Sequence, residues 1–212
     1  MGVIATSSKS DLYRLEIRLT ETDPRARTLL HDARDLGITS IDAINVIDIY
    51  FIHGILDNSE RVALEQILVD SLLQQSSWKA TATTCQHFVE TALHAGVTDA
   101  ASQQLLRIAS RLGISVDAVT TAKRIEIVGA LKPSELDLLV RKLLANPVIE
   151  YWSVDSPIIP VIAAESRAHV VPVEVVPIAL EATDEDLYKL NVERGLALDI
   201  EELWAVRDHY RG

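Results

Sequence analysis

The sequence predicts an α+β protein built from two similar halves in tandem, each with helices on one face of an antiparallel sheet, followed by a small helical segment. Three observations lead to this prediction. A set of residues occurs twice in the same order, the spacing of apolar residues alternates between a strand period and a helix period within each copy, and the repeat ends before the last quarter of the chain.

Matching residues in matching order carry the repeat. The helical positions Leu29, Leu30, Ala33, Leu36, Gly37 and Ile38 recur as Leu105, Leu106, Ala109, Leu112, Gly113 and Ile114. Later positions recur one residue out of step: Asp42, Ala43, Ile52, Gly54, Ser59, Glu60, Leu64 and Leu68 as Asp117, Ala118, Ile127, Gly129, Ser134, Glu135, Leu139 and Leu143. A loop that is one residue shorter in the second copy explains this change of spacing. Trp78 and Trp152 lie at the ends of the two copies.

Each copy begins with a strand and a helix. Residues 13–19 alternate apolar and charged side chains, which predicts a half-buried strand, and residues 87–93 occupy the same place in the second copy. The helix that follows has apolar residues three and four positions apart. Gly37 and Gly113 then end the two helices, because glycine adopts the left-handed backbone of a helix end at least cost.

Each copy continues with β-rich residues, a second helix and a closing strand. Residues 44–52 and 118–128 predict either one long bent strand or a tight hairpin. Asn146 and Pro147 end the second helix of the second copy, and residues 149–154 form its closing strand. The order of elements is that of a ferredoxin-like half.

The second helix of the second copy has a start signal and an apolar stripe. Ser134 is placed to cap it, and Glu135 lies in its positively polarised first turn. Its buried stripe is Leu136, Leu139, Val140, Leu143 and Leu144. The period of this stripe predicts a helix packed on the sheet.

The predicted boundaries follow the repeat. Residues 1–10 are expected to be disordered, 11–84 and 85–156 form the two halves, 157–180 form an extended proline-rich crossing, and 181–212 form a helical segment. In that last segment two capping patterns, Thr183 with Asp186 and Asp199 with Glu202, predict two short helices separated at Gly195. Pairing of the two halves would bury sheet surface and edges that one half alone leaves open. The repeat therefore predicts a pseudo-dimer within one chain.

Composition limits the possible partners and the cellular compartment. The net charge of −11 disfavours nucleic acid and anionic membrane surfaces as partners. Cys85 is the only cysteine, which excludes an intrachain disulfide and any multi-cysteine metal site and fits a reducing cytoplasm. The first ten residues lack the pattern of a signal peptide, and no stretch is apolar over the length that a bilayer requires.

No motif for catalysis or cofactor binding is found. The six histidines are not spaced as metal ligands on a helix, and the glycines form no phosphate-binding loop. Cys85 and His87 are two residues apart on a predicted strand, but nothing nearby orients a nucleophile, which favours an inert buried cysteine. We therefore predict no catalytic residue, no metal site and no cofactor in this chain, and we interpret Trp78 and Trp152 as packing residues.

Residues 143–150, Leu-Leu-Ala-Asn-Pro-Val-Ile-Glu, resemble the helix end and final strand of PurS, the small subunit of phosphoribosylformylglycinamidine synthase. Residues 96–99, Gly-Val-Thr-Asp, are also similar to that subunit, and residues 50–55 resemble the first half of the N-terminal domain of the large single-chain synthases. Residues 194–203 are similar to the linker that precedes their catalytic domains. Together these matches extend over residues 12–210.

This resemblance implies a non-catalytic role in purine biosynthesis. The enzyme converts formylglycinamide ribonucleotide to formylglycinamidine ribonucleotide with ATP and with ammonia from glutamine, and its PurS-like part bridges synthetase and glutaminase. The family's Trp-Ser-Glu-His-Cys motif is not in this sequence, so ATP and magnesium are expected only in the absent catalytic region. The expected partners are the synthetase domains, in the same chain or a separate subunit, and the glutaminase. Asn146, Pro147, Trp78 and Trp152 are the candidate interface residues.

Two other functions stay open at this point. A tandem ferredoxin-like regulatory module of the ACT type would bind a small molecule between its halves, with Gly54 and Gly129 as candidate cleft residues. A small enzyme on the same fold is the weaker alternative, because a fold does not determine a function and no acid–base or nucleophile set is found.

Overall fold

The computed structural model describes residues 10–161 and 182–209. Its contacts divide the chain into two compact units, residues 1–166 and residues 167–212. Both predicted halves lie in the first unit. Nearly all of the predicted disordered N-terminus, and the greater part of the predicted proline-rich crossing, fall outside the described residues.

The first unit contains one antiparallel sheet of six strands, counted over its described residues. The strands are β1 Asp11–Leu19, β2 Ile41–Gly54, β3 Gln74–Ser77, β4 His87–Leu93, β5 Val116–Gly129 and β6 Glu150–Val154. Their order across the sheet is β3-β1-β2-β5-β4-β6. The α+β prediction is confirmed and agrees with a ferredoxin-like arrangement. Residues 44–52 and 118–128 each belong to one continuous strand, not to a hairpin.

Four helices follow the strands in the described part of the first unit, and two lie in the described part of the second. They are α1 Pro24–Asp35, α2 Asn58–Leu68, α3 Ala100–Arg111, α4 Pro133–Leu139, α5 Asp184–Arg194 and α6 Ile200–His209. A π-helical turn, Val140–Leu144, continues α4. The described residues therefore form an ordered pattern of β-α-β-α-β in each half.

Acidic side chains start three of the helices in the first unit. The carboxylate of Asp23 accepts a hydrogen bond from the Arg25 amide, and Asp57 and Asp99 accept from amides in the first turns of α2 and α3. The prediction for Ser134 was wrong. Lys132 is the capping position and Pro133 the first helical residue, because the fixed φ of proline suits that position.

The helix face of the sheet is covered by two separate apolar clusters. The first joins α1 and α4 over the sheet and includes Ala33, Ile44, Ile127 and Leu139. The second joins α2 and α3 and includes Ile52, Leu64, Leu105 and Val119. Each cluster contains one helix of the first half and one helix of the second half. The core of neither half is therefore complete without the other.

Two glycines, at the ends of β2 and β5, allow close contact between backbone segments. A Cβ atom on Gly54 would lie 2.4 Å from the carbonyl oxygen of Ser115, and one on Gly129 would lie 2.2 Å from that of Ser40. Gly129 also has φ +150°, which side chains other than hydrogen rarely permit. These positions pack backbone against backbone.

The second unit contains α5 and α6. Thr183 and Asp186 form a reciprocal capping box, and Gly195 ends α5 in the left-handed conformation with φ 61°. Leu187 and Leu203 are buried, whereas Tyr188, Val192 and Val206 are exposed. The two short helices and their caps lie where the sequence pattern places them.

Candidate interaction surfaces

The predicted interface residues Asn146 and Pro147 form an exposed turn at one edge of the sheet. The Asn146 amide donates to Glu150 Oε2 at 2.8 Å, and Asn146 Oδ1 accepts from the Val148 amide at 3.0 Å. The carbonyl of Asn146 accepts from the amides of Ile149 and Glu150 at 3.1 and 2.8 Å. These bonds hold Val148 at 81% exposure.

An equivalent turn lies at the opposite edge, before β3. The Asp70 amide donates to Gln74 Oε1 at 2.8 Å, and Asp70 Oδ1 accepts from the Leu72 amide at 2.9 Å. The Asp70 carbonyl accepts from the amides of Leu73 and Gln74 at 3.2 and 2.8 Å. We call this turn and the 146–150 turn the corner turns. Leu72, at the tip of this one, is 86% exposed.

The two tryptophans do not come together. Trp152 lies inside β6 opposite Thr91 and packs against the α1/α4 cluster, with the Arg141 guanidinium 5.6 Å from its ring centroid. Trp78 follows the last residue of β3 and packs against the α2/α3 cluster, and its Nε1 donates to Glu65 at 3.0 Å. Because β3 and β6 are the two outermost strands, Trp78 and Trp152 lie at opposite edges of the sheet.

Cys85 and His87 have different partners. Cys85 precedes the strand that begins at His87, and its thiol donates to the His87 carbonyl at 3.0 Å. The imidazole Nδ1 of His87 lies 2.8 Å from Asp155 Oδ2. The thiol is half-buried and is not directed at the imidazole by any described hydrogen bond.

The sheet face opposite the helices, the open face, carries a buried ion cluster of Arg14, Glu16, Glu90 and Arg124. Arg14 reaches Glu16 at 2.7 Å and Glu90 at 2.6 Å, and Arg124 Nε reaches Glu90 at 2.7 Å. The glutamate side chains are 1% and 0% exposed. The guanidiniums of Arg14 and Arg124 also lie over the rings of Phe51 and Phe88, at 5.3 and 4.7 Å.

Two chain segments cover this cluster. The amide of Thr81, in the loop between the halves, donates to Glu16 Oε2 at 2.9 Å. The amide of Ile158, after β6, donates to Glu90 Oε2 at 2.8 Å. Burial alone would raise the pKa of Glu90, but hydrogen bonds from Arg14, the Ile158 amide and Arg124 hold that pKa below its ordinary value. The two guanidiniums and the two carboxylates therefore give the cluster no net charge.

Sequence reasoning missed this cluster. Arg14 and Glu16 stand at the charged positions of an alternating strand, which predicts a solvated face. The signal that was available is Glu90, the one Asp, Glu, Lys or Arg within residues 87–93. Charges placed among buried residues usually pair with each other.

One group of possible metal ligands occurs among the described residues, His31, Asp32 and Asp35 on α1. The imidazole of His31 lies 3.5 and 3.4 Å from the two carboxylates. Two of the three side chains are exposed, and the acids already have the imidazole as a partner. The group is an ordinary feature of a helix surface. No helix in the described parts of the chain is long and apolar enough to cross a membrane.

A protein-family model, PurS, described as phosphoribosylformylglycinamidine (FGAM) synthase, matches residues 87–157. No curated protein matches the chain. The matched residues begin at β4 and end just after β6, so they contain the second predicted half with its 146–150 corner turn. The sequence of residues 87–157 is therefore similar to PurS.

Proposed function

We propose that this chain is the PurS-like part of a phosphoribosylformylglycinamidine synthase and that it holds the synthetase and glutaminase of that enzyme together. The match of residues 87–157 to PurS carries the proposal. The reaction is the ATP- and glutamine-dependent conversion of formylglycinamide ribonucleotide to formylglycinamidine ribonucleotide, in the cytoplasm. ATP, magnesium and the reacting groups belong to the partner domains.

The arrangement of strands supports a pseudo-dimer of two PurS-like halves. The order β3-β1-β2-β5-β4-β6 reads the same from either edge when β1, β2 and β3 are matched with β4, β5 and β6. Irregularities in the β2–β5 pairing fall beside Asp42 in one strand and Asp117 in the other. Gly54 and Gly129 also meet equivalent carbonyls, those of Ser115 and Ser40. Residues 11–84 thus repeat the backbone features of the PurS-like domain.

The differences between the halves support the same interpretation. Helix α2 has 11 residues, whereas α4 and its π turn, Pro133–Leu144, have 7 and 5. A π turn accommodates one inserted residue without ending a helix, so the extra residue lies at Val140–Leu144. In the β1–β3 pair Ser76 lies opposite Ile17, and in the β4–β6 pair Trp152 lies opposite Thr91. Since Ile17 and Thr91 are equivalent positions of the two halves, Trp152 corresponds to Ser76 and not to Trp78. The tryptophans are neighbours of equivalent clusters but do not occupy equivalent positions.

A rigid body suits the transfer of ammonia between two sites. Free ammonia is protonated in neutral water and lost, so the synthetase and the glutaminase must be held in a constant relation. The shared apolar clusters and the buried ion cluster tie both halves into one body. The corner turns, with Leu72 and Val148 at 86% and 81% exposure, are the surfaces proposed to contact the partners.

The helical segment 181–212 is proposed to attach the body to the catalytic region. Its two helices have 11 and 10 residues, and helices of that length are marginal in water unless they pack on another surface. The exposed Tyr188, Val192 and Val206 supply apolar area for that packing. The contacts of residues 167–212 separate them from the body as their own unit.

The regulatory alternative loses the residues on which it was based. Gly54 and Gly129 were its candidate cleft residues, and both pack directly against backbone carbonyls. This alternative would need a different site.

Reconstituted activity tests the scaffold. The synthetase and glutaminase encoded in the same genome are assayed with and without this chain, once with glutamine and once with ammonium chloride as the nitrogen source. A scaffold raises the glutamine-dependent rate and leaves the ammonia-dependent rate unchanged. Equal glutamine-dependent rates with and without the chain would refute the proposal.

Variants of the corner turns refine the experiment. Leu72→Asp and Val148→Asp place a charge in the proposed contact and should weaken partner binding and the glutamine-dependent rate. Ile159→Asp is the matched control, because Ile159 is 85% exposed and lies outside both corner turns. If all three variants behave alike, the corner turns are not the contact.

A further inference from the structure

A small cavity lies on the open face, beside the edge strand β3. Its volume is about 240 Å³. Strand β1, strand β3 and the loop after β3 each contribute part of its lining. The lining residues are Glu16, Arg18, Gln75, Ser76, Ser77 and Thr81. All of them belong to the first half, so the cavity lies outside the residues that match PurS and away from the β2–β5 junction of the two halves.

A turn after β3 directs the chain over the open face. The hydroxyl of Ser77 donates to the Lys79 carbonyl at 2.9 Å and accepts from the Lys79 amide at 3.2 Å. Two residues later, the Thr81 amide donates to Glu16 Oε2 at 2.9 Å, and the Thr81 carbonyl accepts from Arg124 Nη1 at 3.1 Å. These four hydrogen bonds fix the loop that borders the cavity.

Arg18 is the cation of this cavity, and it lacks a partner. Its half-buried side chain makes no hydrogen bond, ion pair or ring contact with any residue that the structure describes. The Nη2 atom is buried, whereas Nε and Nη1 are not. A ligand therefore has access to the guanidinium through Nε and Nη1. A partly desolvated charge without a counter-ion costs stability, and an anion at these two atoms would remove much of that cost.

The nearby carboxylates do not neutralise Arg18. Glu16 belongs to the buried ion cluster, which has no net charge, and its two oxygens already accept from Arg14 and from the Thr81 amide. Glu126 also lies on the open face, but it stands on β5, and β2 separates that strand from β1. No ion pair among the described residues joins Glu126 to Arg18. One positive charge is therefore left over at the cavity.

We propose that this cavity binds a small monocarboxylate. The ligand carboxylate accepts charge-assisted hydrogen bonds from Nε or Nη1 of Arg18. It also accepts from the side-chain amide of Gln75, which makes no hydrogen bond with the described residues. Gln75 lies directly opposite Arg18 in the β1–β3 pair, and opposed residues have Cβ atoms roughly 4.5–5.5 Å apart. Both donors therefore reach one carboxylate.

Charge and volume limit the class of ligand. A single negative charge matches the one unpaired guanidinium, whereas a dianion would bring a second negative charge close to Glu16. A water molecule takes up about 30 Å³, so a cavity of about 240 Å³ has room for an acid of roughly eight non-hydrogen atoms or fewer. The site does not depend on the scaffold proposal, because its lining residues all belong to this chain and bind without the partner domains.

Binding is tested on the full, ¹⁵N-labelled chain by nuclear magnetic resonance. Acetate, propionate, butyrate and benzoate are the probes, and sulfate and chloride are added at matched ionic strength because salt screens exposed charges. We expect at least one monocarboxylate to shift the Nε–Hε resonance of Arg18 saturably, and both inorganic anions to shift it far less. Absence of a shift with every monocarboxylate at tens of millimolar, or equal shifts with sulfate or chloride, would overturn the proposal.

Arg18→Met removes the guanidinium and keeps an unbranched stem that covers apolar surface. Without ligand the variant should be at least as stable as the parent, since an unpaired charge is removed. Its affinity, followed through the backbone amides of residues 75–81, should fall about tenfold or more, the loss expected for a hydrogen bond to a charged group. Arg27→Met is the matched control, because Arg27 is exposed on α1 and does not line the cavity. Unchanged affinity in Arg18→Met would overturn the proposal.

Gln75→Glu tests the same site in the opposite direction. The new carboxylate lies opposite Arg18 and should take the place of the ligand, because opposite charges across a strand pair attract. The thermal midpoint without ligand should rise, and binding of the monocarboxylate should be lost. Gln104→Glu makes the same change of charge at an exposed position of α3 and should leave binding intact. Undiminished binding in Gln75→Glu would place the ligand elsewhere and defeat the proposal.

Discussion

On the helix face the residues beneath the helices are aliphatic, whereas the open face combines a cluster of two arginines and two glutamates with a smaller apolar cluster of Ile49, Phe51, Ala92, Ala122 and Ile158. Both faces are nearly dry: Leu139 and Glu90 are each 0% exposed. The helix face is covered by four helices, and the open face by two short irregular segments around Thr81 and Ile158. An irregular segment covers less apolar area than a helix does, but its free backbone amides can bind carboxylates.

The comparison separates two ways of closing a sheet. Aliphatic clusters are stabilised by burial itself and tolerate small changes of shape. A buried ion cluster adds little net stability as a whole, but it becomes costly when one member is removed, because the remaining charges stay buried without partners. The open face should therefore be the more sensitive of the two to single substitutions.

The largest effect is expected for Glu90→Ala. The change leaves the Arg14 and Arg124 guanidiniums without their shared carboxylate and frees the Ile158 amide. Loss of one partner from a buried pair costs about 3–5 kcal/mol. Denaturant titration measures the free energy of unfolding, with the exposed Glu21→Ala as control. A loss no larger than that of the control would show that the open face is hydrated.

Leu139→Ala tests the helix face. Leu139 is fully buried in the α1/α4 cluster, so truncation should cost about 2–5 kcal/mol. The sequence placed Leu143 in the same buried stripe as Leu139. Leu143 is only partly buried, however, and the loss should be about 1–2 kcal/mol. Equal losses in the two variants would mean that Leu143 is as buried as Leu139.

Acid should destabilise the open face through protonation of Glu90. The pKa of Glu90 is lower in the folded chain than its ordinary value, so the stability that this carboxylate contributes is complete above the unfolded pKa of about 4.3 and is lost as the pH falls through the lower folded pKa. Unfolding free energies measured from neutral to acidic pH should decline more steeply for the parent chain than for Glu90→Gln. Parallel curves would assign the acid sensitivity to other carboxylates.

The smallest effect is expected from removing residues 181–212. Because residues 167–212 form a separate compact unit, a chain that ends at Leu180 should keep the unfolding midpoint of the body. Denaturant titration of the shortened chain measures this directly. Failure of the shortened chain to fold would make the tail part of the body and defeat its assignment as an attachment arm.

The sequence was most informative where a period decides the structure. The alternation in residues 13–19 predicted β1, and the stripe through Leu139 and Val140 predicted a helix packed on the sheet. The wrong cap at Ser134 came from weighing a side-chain oxygen above Pro133, which determines the first helical residue by its backbone. The π turn at Val140–Leu144 leaves the apolar spacing almost intact, so period alone does not reveal it.

The interaction surfaces were less accessible to sequence reasoning. Asn146 and Pro147 were recognised as the end of a helix and as candidate interface residues, but the equivalent turn at Asp70 was missed, because its stabilising bonds join different residue types. Burial of Glu16 depends on the Thr81 segment, 65 residues away. Alternation in a strand separates two faces and does not tell whether a distant segment covers one of them.

The shared apolar clusters also change how the body responds to dilution. Since α1 needs α4 and α2 needs α3, two separate chains would have to meet before either core closed. The loop between Trp78 and His87 makes that meeting intramolecular, with an effective concentration on the order of millimolar for a short flexible connection. The uncut chain therefore keeps its assembled form at any protein concentration, whereas a chain cleaved in that loop would dissociate below a threshold concentration.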